Sequence, residues 1–93
     1  MVTLKYFVKD VFLYTNWNKC TVFLFTNNRV KVSENDIIYF YFDGRKYKVK
    51  FYGISYDEFK VLVDIFFEKG LSVEEKKEIE RNLNKCELQI VSY

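Results

Sequence analysis

The sequence predicts an α+β domain: a mostly antiparallel sheet of four to six strands, hairpins first, with two helices on one face and a C-terminal strand returning to the sheet. Three observations carry this expectation. The first half of the chain alternates β-branched and aromatic residues between turn-forming clusters. Two later segments, Ser55-Tyr56-Asp57-Glu58 and Ser72-Val73-Glu74-Glu75, have the spacing of a helix capping box. Two successive helices do not each cross between parallel strands, so antiparallel pairing is favoured.

In chain order, Leu4 to Tyr14 and Cys20 to Thr26 read as strands joined by the turn cluster Asn16-Trp17-Asn18. Asn27-Asn28 tolerate left-handed backbone, Arg29 to Val32 reads as a short strand, and residues 33–36 as a polar loop. Ile37 to Tyr52 contains two β-prone runs around Asp43-Gly44, the signature of a two-residue type I′ hairpin. That turn sets Phe42 opposite Arg45, Phe40 opposite Tyr47 and Ile38 opposite Val49. Tyr39, Tyr41, Lys46, Lys48 and Lys50 then share the other face, and alternation sends Tyr47, Val49 and Phe51 inward.

From Ser55 the pattern reads as a helix whose buried stripe is Phe59, Leu62, Val63 and Phe66, with Gly70 as its C-cap. Val61, Ile65 and Phe67 make that segment apolar nearly all round. The second helix runs to about Lys85 on the narrow stripe Val73, Ile79 and Leu83, with Glu78 and Arg81 spaced as an ion pair. Cys86 to Tyr93 alternates again and reads as the returning strand.

Composition bounds the function. A chain of 93 residues has room for one core, so residues 1–93 form a single domain. Its hydrophobic fraction of 49% sets it apart from chains that stay disordered. Ala, Pro and His are missing and Lys, Asn, Phe, Tyr and Ile dominate. This is a skew toward A/T-rich codons common in viruses, mobile elements and many cellular genomes.

Net charge is only +2, too small to imply a polyanionic partner, although residues 1–54 hold 9 Lys/Arg against 4 Asp/Glu. No apolar run approaches the length of a membrane span, and the amino terminus lacks a signal-peptide pattern, so a cytoplasmic location with no membrane role is expected. The absence of His removes imidazole bases, His-activated nucleophiles and His metal ligands, and the three glycines are isolated rather than gathered in a phosphate loop. Cys20 and Cys86 are too few for a zinc site and read as buried free thiols. No catalytic residue, metal or small-molecule cofactor is expected.

Two binding surfaces stand out. Strands 4–14 and 20–26 are apolar on both faces, with Val22 and Leu24 on one and Phe23 and Phe25 on the other, and Trp17 projects from a turn. A partner would cover the second face, or the sheet would curl around the apolar helix and hide it. The function expected from Trp17, Phe23 and Phe25 is a non-enzymatic protein-binding module. It would act as a homodimer or on another protein, as small viral or mobile-element accessory and inhibitor proteins do on host proteins. The alternative is a nucleic-acid-binding protein whose Tyr39 and Tyr41 stack bases while Lys46, Lys48 and Lys50 meet phosphates. Against that, alternating lysines also serve simply to keep a sheet face in solution. Arg29 and Arg45 would share one end of a meandering sheet as a small basic rim.

Overall fold

Period-two alternation does not stop at Tyr52; it continues through the segment that read as the first helix and closes the sheet on itself. A computed structural model describes residues 1–26, 28–57 and 60–93. It shows β1 (Val2–Leu13), β2 (Lys19–Leu24), β3 (Ile37–Phe42), β4 (Arg45–Asp57), β5 (Lys60–Phe67), α1 (Val73–Arg81), a single 3-10 turn (Leu83–Lys85) and β6 (Cys86–Ser92). The strands form a closed antiparallel barrel in the order β1-β2-β5-β4-β3-β6. β3, β4 and β5 are successive neighbours and β2 returns beside β5, which is a Greek key. The expected open α+β sheet with two helices on one face is therefore corrected to an antiparallel barrel carrying one α-helix among the described residues.

The correction falls on residues 55–67. Ser55 lies in β4, paired with Leu62, and its supposed capping partner Glu58 lies outside the described residues, as does Phe59. Val61, Val63, Ile65 and Phe67 point into the barrel, while Leu62, Asp64 and Phe66 point outward. A helical stripe and a strand alternation both fit this apolar run. β-branched residues at 61, 63 and 65, with β2 and β4 available on either side, decide for the strand. Gly70 caps no helix; a Cβ there would stand 3.1 Å from Asn18 Oδ1, so it allows a close approach to the β1–β2 turn. Residues 29–32 form no strand, and Val30 is instead buried as part of the core.

Two long strands make closure feasible. β1 pairs with β6 over Val2–Phe7 and with β2 over Val8–Leu13, with a bulge between Val8 and Asp10. β4 pairs with β3 up to Val49 and with β5 from Val49 to Asp57, with a bulge between Phe51 and Gly53. Each bulge bends its strand and raises its twist, so one strand can serve both halves of the wall. The second bulge also upsets the inward alternation: Phe51, expected inside, is exposed, while Val49 is buried and Tyr47 half-buried.

The interior is wholly apolar. Phe40, Val22, Val63, Ile65, Leu88 and Ile90 are completely enclosed, and no charged or polar side chain is buried among the described residues. One barrel end is closed by α1, whose Ile79 is fully buried and whose neighbours Leu71 and Leu83 pack on the core. The capping box of α1 is present: Ser72 Oγ accepts from the Glu75 amide at 3.1 Å and Glu75 accepts from the Ser72 amide at 3.1 Å. Lys76 Nζ donates to the Tyr14 and Thr15 carbonyls at 2.8 and 3.2 Å, latching the helix to the β1–β2 turn. Glu78 pairs with Arg45 at 2.9 Å, across the barrel end rather than along the helix with Arg81. Such an exposed pair, screened by solvent, adds little to stability.

The other barrel end is closed by the β2–β3 connection, where the Val30 carbonyl accepts from Tyr56 Oη at 2.8 Å and Arg29 lies over the Tyr56 ring. Arg29 and Arg45 thus sit at opposite ends, and the basic rim that would unite them does not form. At the β3–β4 turn Asp43 and Gly44 have φ of 47° and 80°, as a type I′ turn requires. Gly44→Ala should cost about 1–2 kcal/mol, read as a lower urea midpoint with unchanged slope, because a side chain is strained at that φ. An unchanged midpoint would show the hairpin to be held by its strands alone.

Candidate protein-binding surface

Closure divides the apolar residues of β1 and β2 between an inside and an outside. Val22 and Leu24 line the core; Phe23 stands outward half-buried, and Phe25, just past β2, is 62% exposed. Trp17 in the β1–β2 turn is 54% exposed. It neither lids the core nor stands alone, since its ring packs edge-on against Tyr14 at 5.9 Å and Phe66 at 5.3 Å.

Those contacts belong to a continuous aromatic band on the outer wall. Phe12 meets Tyr14 at 4.8 Å and Tyr52 meets Phe66 at 5.2 Å, so the rings run Phe12-Tyr14-Trp17-Phe66-Tyr52 from β1 through the β1–β2 turn to β5 and β4. The outermost rings, Phe12 and Tyr52, are 57% and 66% exposed. Lys19 points into the band, its Nζ 5.1 Å from the Tyr14 ring, 5.6 Å from Trp17 and 5.3 Å from Tyr52. Each edge-to-face pair contributes about 0.5–1.5 kcal/mol, enough to hold the rings in fixed positions. Beside the band, Asp10, Val11, Phe12, Tyr14, Thr21 and Phe23 line a shallow hollow of about 400 Å³. Its polar groups are already engaged: Asp10 accepts from the Val11 amide at 2.8 Å, and Thr21 donates to Asp64 at 2.6 Å.

The five residues of the alternative surface also share one face. Tyr39 pairs with Lys48 and Tyr41 with Lys46 across β3 and β4, as the turn register requires, and Lys50 continues outward opposite Phe66. Both tyrosine rings are half-buried, and Lys46 Nζ lies 4.0 Å from the centre of the Tyr39 ring. On the β6 side Tyr41 faces Glu87 and Tyr39 faces Gln89, so a carboxylate stands within the basic face.

Burial raises the Cys20 thiol well above its ordinary value and pushes Cys86 up to about 11. Burial followed by its bond to Glu75 raises Tyr47, and the Ser72 amide leads the groups that lower Glu75. A lowered carboxyl does not act as a general acid, and a raised, enclosed thiol is a poor nucleophile. Among the described residues, no three His, Cys, Asp or Glu side chains gather as a metal site.

The sequence reading of the binding face omitted Phe12, Lys19, Tyr52 and Phe66. Phe66 was hidden by its assignment to a helical stripe, and Tyr52 by the bulge that turns it out. Alternation in Val61-Leu62-Val63-Asp64-Ile65-Phe66-Phe67 is the signal that places Phe66 on the wall beside Lys19. The chain was compared with protein-family models, with curated proteins and with solved structures, and none of them matches it.

Proposed function

We propose that this chain is a non-enzymatic protein-binding module whose outer aromatic band docks on another protein. The observation that carries the reading is the combination of exposure and rigidity in that band. Phe12, Trp17 and Tyr52 stay in solvent although the barrel is closed and its core complete. Aromatic residues held in place by one another lose little freedom on docking and supply the type of side chain that dominates binding energy at interfaces. The nucleic-acid alternative is less well supported. The Tyr39 ring has Lys46 Nζ over one face, which a stacked base would have to displace, and Glu87 opposite Tyr41 would repel a phosphate chain.

The test compares the wild-type chain with Phe12→Ser/Tyr52→Ser, two exposed substitutions that leave the core untouched. Each is used to capture proteins from an extract of the source cell, and each is examined by sedimentation for self-association. Trp17, the single tryptophan, reports docking directly, because covering its ring shifts its emission to the blue. Expected is a partner or dimer held by the wild type and lost in the double variant, with that blue shift. Identical capture and sedimentation for both chains would remove the band from the interface.

A further inference from the structure

We infer that Tyr14, Trp17 and Tyr52 form a cation cage that takes a trimethylated lysine of a partner protein in exchange for Lys19. The inference rests on the band as a docking surface and names the chemistry that surface selects. An ammonium already sits between the rings: Lys19 Nζ stands 5.1 Å from the Tyr14 ring, 5.6 Å from Trp17 and 5.3 Å from Tyr52. All three distances lie inside the reach of about 6 Å over which a ring face attracts a cation. Phe66 joins the walls, since Trp17 and Tyr52 both pack edge-on against it, at 5.3 and 5.2 Å. The turn that carries Tyr14 and Trp17 is tied down on both sides. Lys76 Nζ donates to the Tyr14 and Trp17 carbonyls at 2.8 and 3.4 Å, and the Phe67 amide donates to the Asn18 carbonyl at 2.9 Å. The cage therefore stands ready before a ligand arrives, which lowers the entropy cost of binding.

Only the rings hold Lys19. Among the described residues its ammonium has no carboxylate within ion-pair reach and no hydrogen-bond acceptor. Charges near the cage offset one another: Asp64 and Glu68 lie two residues either side of Phe66, and Lys50 and Lys48 stand opposite Phe66 and Glu68 on β4. Ring faces rather than net charge thus choose the occupant. An ordinary lysine of a partner gains nothing, because Lys19 offers the same strongly hydrated ammonium and is tethered at the site. A trimethylammonium donates no hydrogen bonds to water, gives up less hydration and fills the space between rings with methyl groups, which is the chemistry aromatic cages recognise. Entry is open, with Trp17 54% and Tyr52 66% exposed, and the long stem of Lys19 lets its ammonium return to water. Phe12, beyond Tyr14 in the band, is left to contact the chain that carries the modified lysine, which favours a protein-borne group over a free small cation.

The test titrates the full chain with a short peptide of Gly and Ser around one trimethyl-lysine, and reads Trp17 emission together with the Lys19 methylene signals by nuclear magnetic resonance. In the free protein the three rings should displace the Lys19 ε-methylene signal from its ordinary position. Expected on titration is a change in Trp17 emission and the return of that signal to the ordinary lysine position. Binding should be at least about tenfold tighter than for the unmethylated peptide. It should tighten at least about tenfold further in Lys19→Ala, whose cage starts empty. The inference is overturned if millimolar trimethyl-lysine peptide leaves the Lys19 signals of the wild type unmoved. It is overturned too if a peptide with a neutral tert-butyl group in place of the trimethylammonium binds equally, since the rings would then be a plain apolar patch. Equal affinity for tetramethylammonium would reject a protein-borne ligand. Capture lost in Phe12→Ser/Tyr52→Ser while the peptide fails to move Lys19 would leave the docking reading standing and sink the cage. Peptide binding alongside identical capture by both chains would do the reverse.

Discussion

Phe40→Ala is expected to cost about 3–5 kcal/mol, the range for deleting a fully enclosed aromatic ring and leaving its cavity. Phe40 is completely buried and packs edge-on against Phe67 at 5.6 Å, so it joins β3 to β5 across the barrel interior. A domain of this size is stable by roughly 0.05–0.15 kcal/mol per residue, so the loss removes a large part of the total. Urea unfolding should show a much lower midpoint, and thermal unfolding a fall of about 4–8 °C per kcal/mol. Phe12→Ala provides the contrast. That ring is equally large but stands on the outer wall, and its loss should remove no more than about 1.5 kcal/mol, the worth of its contact with Tyr14. If Phe40→Ala cost less than about 1 kcal/mol, the barrel interior would not be the core of this protein.

The second large effect concerns alkaline pH. Cys20 is fully enclosed, and burial, followed by the nearby Cys86 and Asp64, raises its thiol above the unfolded value of about 8.5. The folded state therefore holds this proton more tightly than the unfolded chain does. Stability is complete below the unfolded pKa and falls as pH rises above it, toward the raised folded value. One such thiol removes up to about 1.4 kcal/mol per pH unit. Cys86, pushed up to about 11 by burial, acts in the same direction between its unfolded value and that pH. Urea midpoints at pH 7, 9 and 10 should fall more steeply in the wild type than in Cys20→Ala, by about 1 kcal/mol between pH 9 and 10. Tyrosine and lysine titrate in both chains and cancel in that comparison. Parallel pH profiles would show that the Cys20 thiolate meets no penalty inside the barrel.

Legibility in the sequence followed how local the deciding interaction was. The β3–β4 hairpin and its register were readable because Asp43-Gly44 is a two-residue signal, and the structure shows positive φ at both positions. Helix α1 was readable because Ser72 and Glu75 cap it within one turn. The returning strand β6 was readable from the alternation of Leu88 and Ile90. Segment 55–67 was not readable, because Ser55 and Glu58 imitate a capping box and an apolar run that is buried on one face and packed with rings on the other suits both periods. On the candidate surface, the contact of Trp17 with Phe66, and through it with Tyr52, depended on that same segment and could not be seen in the sequence.

By itself the sequence determined the β3–β4 turn and its register, the Ser72 cap of α1, the alternation of β6 and the absence of imidazole chemistry. Tertiary structure alone decided that β5 is a strand, that the sheet closes, and which rings remain outside. The physical reason is that a strand has no internal hydrogen bonds to declare it. β5 is satisfied only by β2 and β4, which stand 43 and 11 residues away at the pairs Thr21 with Asp64 and Gly53 with Asp64.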